Sequence, residues 1–244
     1  MCRHLGYLGP VTSVGDILTR GEHSLVVQSW APTDMRCDAV ANADGFGAAW
    51  WDDPTTASVH VSAMPAWGDP VIGGALASVR SGAVLAAVRS ATSGMPVTPT
   101  ASAPFVDGRW AFSHNGVVRG WPESLAPLAA DVPVVDLLRQ PAATDSAGLW
   151  SVIRHRLRDD EPGAVLRSVV ADLDRTGPQS RLNFLLGDGD SLWATSVHHS
   201  LSVLADDDGV LVSSEPLDAD PRWQPVPDRS LVVATRDGVT VTDL

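Results

Sequence analysis

The sequence predicts an α+β fold in which sheets are stacked between helical layers. Three observations predict it. Short β-like runs occupy the first half of the chain, two amphipathic helical patterns follow them, and the last third returns to short strands joined by Asp-Gly turns. The 244 residues are 44% hydrophobic and 19% charged, which is typical of a globular protein, and they could form one large domain or two small ones. No linker long enough to separate two domains is found, so a single domain over residues 2–244 is predicted.

The elements of the first half are read from hydrophobic runs and from turn-forming residues. Strands are predicted at 46–51 (FGAAWW), 83–91 (AVLAAVRSA) and 110–116 (WAFSHNG). The run PVIGGALASVRS at 70–81 is predicted to form a helix. The segment SGMPVTPTASAPF at 93–105 is rich in Pro, Gly, Ser and Thr, and is therefore predicted to be a loop.

Two helices and a strand meander are predicted for the second half. The pattern of 144–159 places four apolar residues on one helical face: Leu149, Val152, Ile153 and Leu157. The pattern of 162–176 opens with a proline, which suits a first helical turn. After these helices come RLNFLLGDG, SLWATSV, LSVLADDDGVLVSSE and SLVVATRDGVTVTDL, which resemble antiparallel hairpins.

Composition excludes several classes of function. The formal net charge of −12 disfavours nucleic acid as a partner, because phosphate binding requires a basic face. Arg80 and Arg89 interrupt the longest apolar stretch, so no membrane span is expected, and no signal peptide is recognisable at the N-terminus. Cys2 and Cys37 could pair, but two cysteines do not form a disulfide scaffold. A reducing cytoplasm is the expected location.

No metal or other cofactor is predicted. Of the seven histidines only His198 and His199 are clustered, and no Cys-x2-Cys pair occurs. The glycine-rich runs GDGD and DGFG lack the lysine and the spacing of a phosphate-binding loop, and are better interpreted as turns.

A cysteine directly behind the initiator methionine has two interpretations. Its position is accidental, or Met1 is removed and Cys2 becomes a nucleophile whose own α-amino group acts as the base. An unperturbed α-amine has a pKa of about 7.7–8.0 and a thiol one of about 8.5. Proton transfer between the two groups is therefore nearly isoenergetic, so the second interpretation is chemically sound.

Three polar stretches could join Cys2 in an active site. AVRSATSG ends a hydrophobic strand with Arg89 and Thr92, SHNGVV contains Asn115 and Gly116, and ATDSAGLW contains Asp145. Each also has a purely structural interpretation: a strand end capped by arginine, a hairpin turn at Asn-Gly, and a helix N-cap at Thr144 or Asp145.

Taken together and in this order behind Cys2, the stretches resemble the class II glutamine amidotransferases, a branch of the N-terminal-nucleophile hydrolases. The segment DGFGAAWW also resembles the D-G-x-G strand entry of that family. The motifs extend from Cys2 to about Leu157. The resemblance implies a four-layer αββα sandwich, with two mostly antiparallel sheets between helical layers, and makes Cys2 the nucleophile.

The resemblance also implies roles for the polar residues. Asn115 and Gly116, within His114-Asn115-Gly116, would form the oxyanion hole, and His114 would contribute to substrate binding. A motif of the form R-x-x-T, matched by Arg89 and Thr92, would bind the α-carboxylate of the substrate, and Asp145 would bind its α-ammonium. A small molecule carrying a γ-glutamyl group is therefore the expected partner.

Two departures from the family motifs bear on the leaving group. Ala103 stands where many members have a histidine, and Ala147 stands where they have a glutamate. The chain also offers no second domain that would consume ammonia, so water is the expected final acceptor. The two alanines alter the wall beyond the γ-carbonyl and therefore argue against unmodified glutamine as the substrate.

The chain is most similar to a stand-alone branch, the γ-glutamyl amidohydrolases of ergothioneine biosynthesis. This similarity implies cleavage of γ-glutamyl-hercynylcysteine sulfoxide into glutamate and hercynylcysteine sulfoxide. Three alternatives are glutathione-like γ-glutamyl peptides as substrates, a glutaminase subunit of a separate synthase, and a γ-glutamyl binding module without catalysis. Retention of Cys2, Asn115 and Gly116 together argues against the last.

Nine tryptophans against one tyrosine form an unusual aromatic set. The leaving group of the implied substrate carries a trimethylated ammonium, and tryptophan is the best side chain for a cation–π contact. Trp110 and Trp121, which flank the Asn-Gly motif, are the candidates for such a pocket, with core packing as the alternative role for each. The sequence indicates no oligomeric state.

Overall fold

The computed structural model describes residues 2–34, 36 and 41–244. Met1 and Cys37, on which two sequence predictions depend, lie outside the described residues. The described residues form six α-helices: α1 Val14–Leu18, α2 Leu25–Trp30, α3 Ala75–Ser78, α4 Val134–Leu138, α5 Asp145–Arg156 and α6 Pro162–Thr176. They also form the following strands: β1 Arg3–Ser13, β2 Phe46–Asp53, β3 Thr56–Ser62, β4 Arg80–Val88, β5 Phe105–Asp107, β6 Trp110–Val117, β7 Arg181–Gly187, β8 Ser191–Ser196, β9 Ser202–Asp206, β10 Gly209–Ser213, β11 Gln224–Pro225, β12 Ser230–Thr235 and β13 Gly238–Asp243.

The strands form two sheets, and every described pairing is antiparallel. The first sheet has seven strands in the order β11-β9-β10-β1-β4-β2-β3, and the second has six in the order β13-β12-β8-β7-β6-β5. Strand β1 lies in the middle of the first sheet, where Leu5 pairs with Ala86 of β4 on one side and with Ser213 of β10 on the other. The start of β1 is therefore fixed from both sides.

Three hydrophobic clusters show how the layers stack. One lies between the two sheets and includes Leu8, Leu85, Leu185, Val212 and Val232. A second joins the outer face of the first sheet to α1, α2 and α3, and the third joins the outer face of the second sheet to α5 and α6. The order of layers is therefore helices, sheet, sheet, helices, which confirms the predicted α+β sandwich.

Strand β1 is buried on both faces, which explains a glycine in its interior. Leu5 and Tyr7 pack toward the helices, whereas Leu8 packs between the sheets. A Cβ atom at Gly6 would lie 2.7 Å from a side-chain carbon of Leu192 on the opposite sheet. Glycine at this position lets the two sheets approach closely.

Most predicted elements are confirmed, including the strands at 46–51 and 110–116 and both long helices. The strand predicted at 83–91 is correct only as far as Val88, since β4 spans Arg80–Val88 and residues 89–91 belong to the loop that follows it. The helix predicted over 70–81 is wrong in extent, because only Ala75–Ser78 is helical. Consecutive glycines at 73 and 74 disfavour helix, and Arg80 already pairs with Ser13 as the first residue of β4.

The prediction of Asp-Gly turns in the last third is confirmed, since Gly189, Gly209 and Gly238 all adopt positive φ. The prediction of a meander is wrong. The β9–β10 hairpin leaves the second sheet and pairs with β1, while the hairpins before and after it belong to the second sheet. This crossing brings the end of β10 beside the N-terminus.

Candidate active site

The first residues of β1 bring Cys2 to one edge of the sandwich. Arg3 pairs with Val88, the last residue of β4, so Cys2 lies beside the loop that begins with Arg89. The side chain of Cys2 is half-buried and its thiol is free. The pairing therefore brings together Cys2 and Arg89, which lie far apart in the sequence.

Two adjoining pockets meet at Cys2, and both are also lined by Arg89, Ala101 and Ser146. The first has an empty volume of about 300 Å3. Predicted site residues that line one or both pockets are Cys2, Arg89, Thr92, His114, Gly116 and Asp145. Of the predicted site residues, only Asn115 is absent from both linings.

Arg89 is positioned by the loop that precedes β2. Its backbone nitrogen donates to the carbonyl of Gly45 at 2.8 Å, and its own carbonyl accepts from the nitrogen of Asp44 at 2.9 Å. The carboxylate of Asp44 accepts from the nitrogen of Ala91 at 2.8 Å, which fixes the next turn of the loop. Nη1 of Arg89 is buried and has no hydrogen-bond partner within the described part of the chain. A buried, unpaired guanidinium nitrogen beside a cavity suits an anionic ligand.

Asp145 is the first residue of α5. Thr144 is the N-cap, and its hydroxyl accepts from the nitrogen of Ala147, which confirms the predicted helix start. The carboxylate of Asp145 is buried and accepts two backbone hydrogen bonds, from Ser146 at 2.8 Å and from Val118 at 2.9 Å. These bonds fix its orientation and leave further lone pairs for a cation.

Asn115 and Gly116 lie inside β6, so the hairpin-turn interpretation of Asn-Gly is wrong. They pair with Asn183 and Leu182 of β7. Nδ2 of Asn115 donates to Oγ of Ser214 at 3.4 Å, and Oδ1 has no partner among the described residues. Gly116 is required by crowding, because a Cβ atom there would collide with the backbone of Arg181.

The ring of His114 uses both of its nitrogens within the protein. Nε2 lies 2.9 Å from the carbonyl oxygen of Arg181, and Nδ1 lies 3.0 Å from Oγ of Ser146. Burial lowers the pKa of His114, so the ring is neutral. Nε2 must then carry the hydrogen donated to Arg181, and Nδ1 accepts from Ser146. His114 therefore joins β7 to the first turn of α5 and forms one wall of the cavity.

The prediction that Trp110 and Trp121 form a cation pocket beside the active site is wrong. Both are partly buried and pack against the hydrophobic cluster between the second sheet and its helices. The ring of Trp110 lies 5.9 Å from that of Trp193. Neither tryptophan lines the pockets at Cys2. The alternation of side chains along β6 explains why Trp110 packs in this cluster. Trp110 lies on the same face of the strand as Phe112, which belongs to the cluster.

A second cleft, which Cys2 does not line, contains none of the predicted site residues. This larger cleft, with an empty volume of about 760 Å3, lies beside the 99–106 segment and includes Arg139 and Trp150. Within the described ranges, no group of three His, Cys, Asp or Glu residues is placed to hold a metal ion, and no helix is long and apolar enough to cross a membrane.

Residues 21–205 match the family described as glutamine amidotransferases class-II. The chain belongs to the class II glutamine amidotransferases. Its relatives include the γ-glutamyl-hercynylcysteine sulfoxide hydrolase of Mycolicibacterium smegmatis, 41% identical over the full length of both chains. The protein of the same name from Mycobacterium tuberculosis (strain CDC 1551 / Oshkosh) is 39% identical over all of this chain and 97% of its own length.

Solved structures of amidotransferases share the fold. A glutamine aminotransferase class-II domain protein from Silicibacter pomeroyi superposes with a TM-score of 0.71 at 24% identity, over 100% of this chain and 99% of that one. The glutamine phosphoribosylpyrophosphate amidotransferase of B. subtilis superposes with a TM-score of 0.63 at 14% identity, over 100% of this chain but 49% of that chain. The fold of the present chain therefore corresponds to about half of the B. subtilis enzyme.

Sequence reasoning missed several residues that build the site. Asp44 lies in a motif that was recognised, but its bond to Ala91 was not foreseen. Ser146 follows Asp145 directly and reads as an ordinary first-turn serine. Ser214 and Glu215 carry no local signal, because the residues of β1 that they contact lie more than 200 residues away in the chain.

Proposed function

We propose that this chain hydrolyses the γ-glutamyl amide of γ-glutamyl-hercynylcysteine sulfoxide and releases glutamate and hercynylcysteine sulfoxide, a step of ergothioneine biosynthesis. One observation carries the proposal: a free thiol, an arginine with one buried and unpartnered guanidinium nitrogen, and a buried carboxylate line one cavity. They belong to Cys2, Arg89 and Asp145. A γ-glutamyl group has an α-carboxylate and an α-ammonium, which complement these two charges. The name of relatives at 38–41% identity over essentially full length supports the choice of leaving group.

In the proposed reaction Arg89 and Thr92 bind the α-carboxylate and Asp145 binds the α-ammonium. Opposite charges on one end of the substrate fix its orientation, and this orientation lowers the entropic cost of the chemical step. Neither group takes part in bond making. Their contribution is therefore expected in substrate binding.

Cys2 attacks the γ-carbonyl carbon after its α-amine takes the thiol proton. Nδ2 of Asn115 and the backbone N–H of Gly116 stabilise the tetrahedral oxyanion. The intermediate collapses to a γ-glutamyl thioester as the protonated α-amine returns its proton to the leaving amine. Water then attacks the thioester carbonyl, which releases glutamate and regenerates the thiol of Cys2.

This mechanism requires that Met1 be removed, because only then does Cys2 carry a free α-amine. Intact mass of the purified protein is expected to lack one methionine. An active protein that retains Met1 would exclude the α-amine as base. The free thiol suits a reducing cytoplasm, which is the location we propose.

The proposed substrate is tested by comparing kcat/KM for γ-glutamyl-hercynylcysteine sulfoxide, glutathione and glutamine, with glutamate release as the readout. The sulfoxide is expected to give the highest value. A higher value for glutathione or glutamine would overturn the leaving-group assignment, but the assignment of the chain as a γ-glutamyl hydrolase would still hold. Failure to release glutamate from all three would overturn the hydrolase itself.

A further inference from the structure

Glu215, which follows β10, holds the residue next to the proposed nucleophile. Its Oε1 accepts from Nε of Arg3 at 2.8 Å, and both side chains are only 1% exposed. Nη1 of Arg3 donates to the carbonyl oxygen of Cys2 at 3.1 Å. The chain of contacts Glu215–Arg3–Cys2 thus connects the end of β10 to the first described residue.

The other carboxylate oxygen of Glu215 is also occupied. Oε2 accepts from the nitrogen of Thr33 at 2.8 Å, from its hydroxyl at 2.6 Å, and lies 2.7 Å from Nε2 of His23. Burial alone would raise the pKa of Glu215, but hydrogen bonds from Thr33 and His23, together with Arg3, lower it to about 2. The carboxylate therefore stays ionised and rigidly held.

Ser214, one residue earlier, contacts both halves of the proposed catalytic apparatus. Its nitrogen donates to the carbonyl of His4 at 3.0 Å, and its Oγ accepts from the nitrogen of His4 at 3.0 Å. The same Oγ accepts from Nδ2 of Asn115 at 3.4 Å. One hydroxyl therefore links the strand that carries the proposed nucleophile to the side chain of the proposed oxyanion donor.

We propose that Ser214 and Glu215 are positioning residues that set Cys2 relative to Asn115. The carboxamide of Asn115 has two N–H donors. Ser214 binds one of them, which fixes the rotation of the amide and leaves the second to donate to the developing oxyanion. A fully buried ion pair such as Glu215–Arg3 is weak evidence for stability, because desolvation offsets its attraction. Orientation of the first residues of β1 is the function that this pair serves. The inference rests on the proposed function.

The chain supplies a matched control for the test. Ser213 is adjacent to Ser214 and equally buried, but its Oγ has no hydrogen-bond partner in the described part of the chain. Ser214→Ala is expected to lower kcat by roughly 10- to 100-fold, the range that small misplacements of reacting groups produce. KM is expected to stay unchanged, because Arg89 and Asp145 are untouched. Ser213→Ala is expected to leave both constants unchanged.

A conservative variant separates positioning from packing. Ser214→Thr keeps the hydroxyl acceptor and adds a methyl group, so the proposal places its kcat above that of Ser214→Ala. The reverse order, or equal kcat for the two alanine variants while the wild type is active, would overturn the inference. An inactive wild type would instead overturn the proposed function.

Glu215→Gln carries the test if Ser214→Ala does not fold. The substitution keeps the shape of the side chain and removes its charge. A lower kcat at constant KM is expected, and a wild-type kcat would overturn the inference for Glu215.

Discussion

The carboxylate of Asp145 accepts a hydrogen bond from the backbone nitrogen of Val118 at 2.9 Å, and this bond joins the start of α5 to the end of β6. The other oxygen of the same carboxylate accepts from the nitrogen of Ser146. One side chain therefore both fixes the local fold and faces the cavity at Cys2. We therefore expect substitution of Asp145 to affect stability and, if the proposed function holds, substrate binding as well.

Asp145→Asn is expected to raise KM and to lower the free energy of unfolding. Asparagine offers one carbonyl oxygen, so one of two backbone donors loses its acceptor, which costs about 1–3 kcal/mol for a buried group. Loss of the negative charge weakens the hold on an α-ammonium. Steady-state kinetics and denaturant unfolding measure the two effects. An unchanged KM would show that Asp145 does not contact the substrate.

Arg89→Met and Asn115→Ala are expected to affect different kinetic constants. Arg89→Met removes an anion-binding group and should mainly raise KM, provided that KM follows substrate dissociation. Asn115→Ala removes a proposed oxyanion donor and should lower kcat by about 10²- to 10³-fold. Equal effects of both variants on kcat alone would contradict this division of roles.

Gly116→Ala is expected to destabilise the protein and to abolish activity. The added Cβ atom would collide with backbone atoms of Arg181, which cannot move without breaking the β6–β7 pairing. Overpacking of this kind costs about 1–3 kcal/mol or more. Gly73→Ala is the control, because a Cβ atom there meets nothing within 4 Å. Wild-type unfolding of Gly116→Ala would show that the site is less crowded than described.

Acid is expected to destabilise the protein from just below neutral pH. Burial lowers the pKa of His4 to about 3 and that of His199 to about 2, from an ordinary 6.5. Below pH 6.5 the unfolded chain binds protons that the folded chain excludes, so stability is full above that pH and falls as the pH decreases. Each histidine contributes a slope of about 1.4 kcal/mol per pH unit.

Unfolding by urea at pH 7, 6 and 5 measures this slope. His4→Asn should reduce the slope by the contribution of one histidine, about 1.4 kcal/mol per pH unit. A free energy of unfolding that is constant from pH 6.5 to pH 5 would contradict the neutral, buried state of the two histidines.

Local patterns predicted most of the elements, and most of the polar residues that they singled out line the cavity at Cys2. Arg89 and Thr92 stand out as polar residues after a buried strand, and Asp145 as a polar residue at a helix start, but only the family resemblance gives them a role. Their convergence on Cys2 was inferred from the order of motifs, and the pairing of Arg3 with Val88 provides its physical basis.

Long-range placement could not be predicted in the same way. The Asp-Gly turns of the last third were read correctly, but a turn does not specify which sheet its hairpin joins. The transfer of β9 and β10 to the first sheet depends on pairing with β1, about 200 residues earlier. The proposed roles of Ser214 and Glu215 depend on that transfer. They could not be predicted from the sequence, because no local pattern shows which sheet the hairpin joins. The orientation of Trp110 likewise depends on which face of β6 meets the helices.

The central claim, that Cys2 is the nucleophile, is tested most directly by glutamate release from γ-glutamyl-hercynylcysteine sulfoxide in two cysteine variants. Cys2→Ala is expected to release none, because no other thiol lines the cavity within the described residues. Cys37→Ala is expected to release glutamate at the wild-type rate. Turnover by Cys2→Ala, or its loss in Cys37→Ala, would contradict the account.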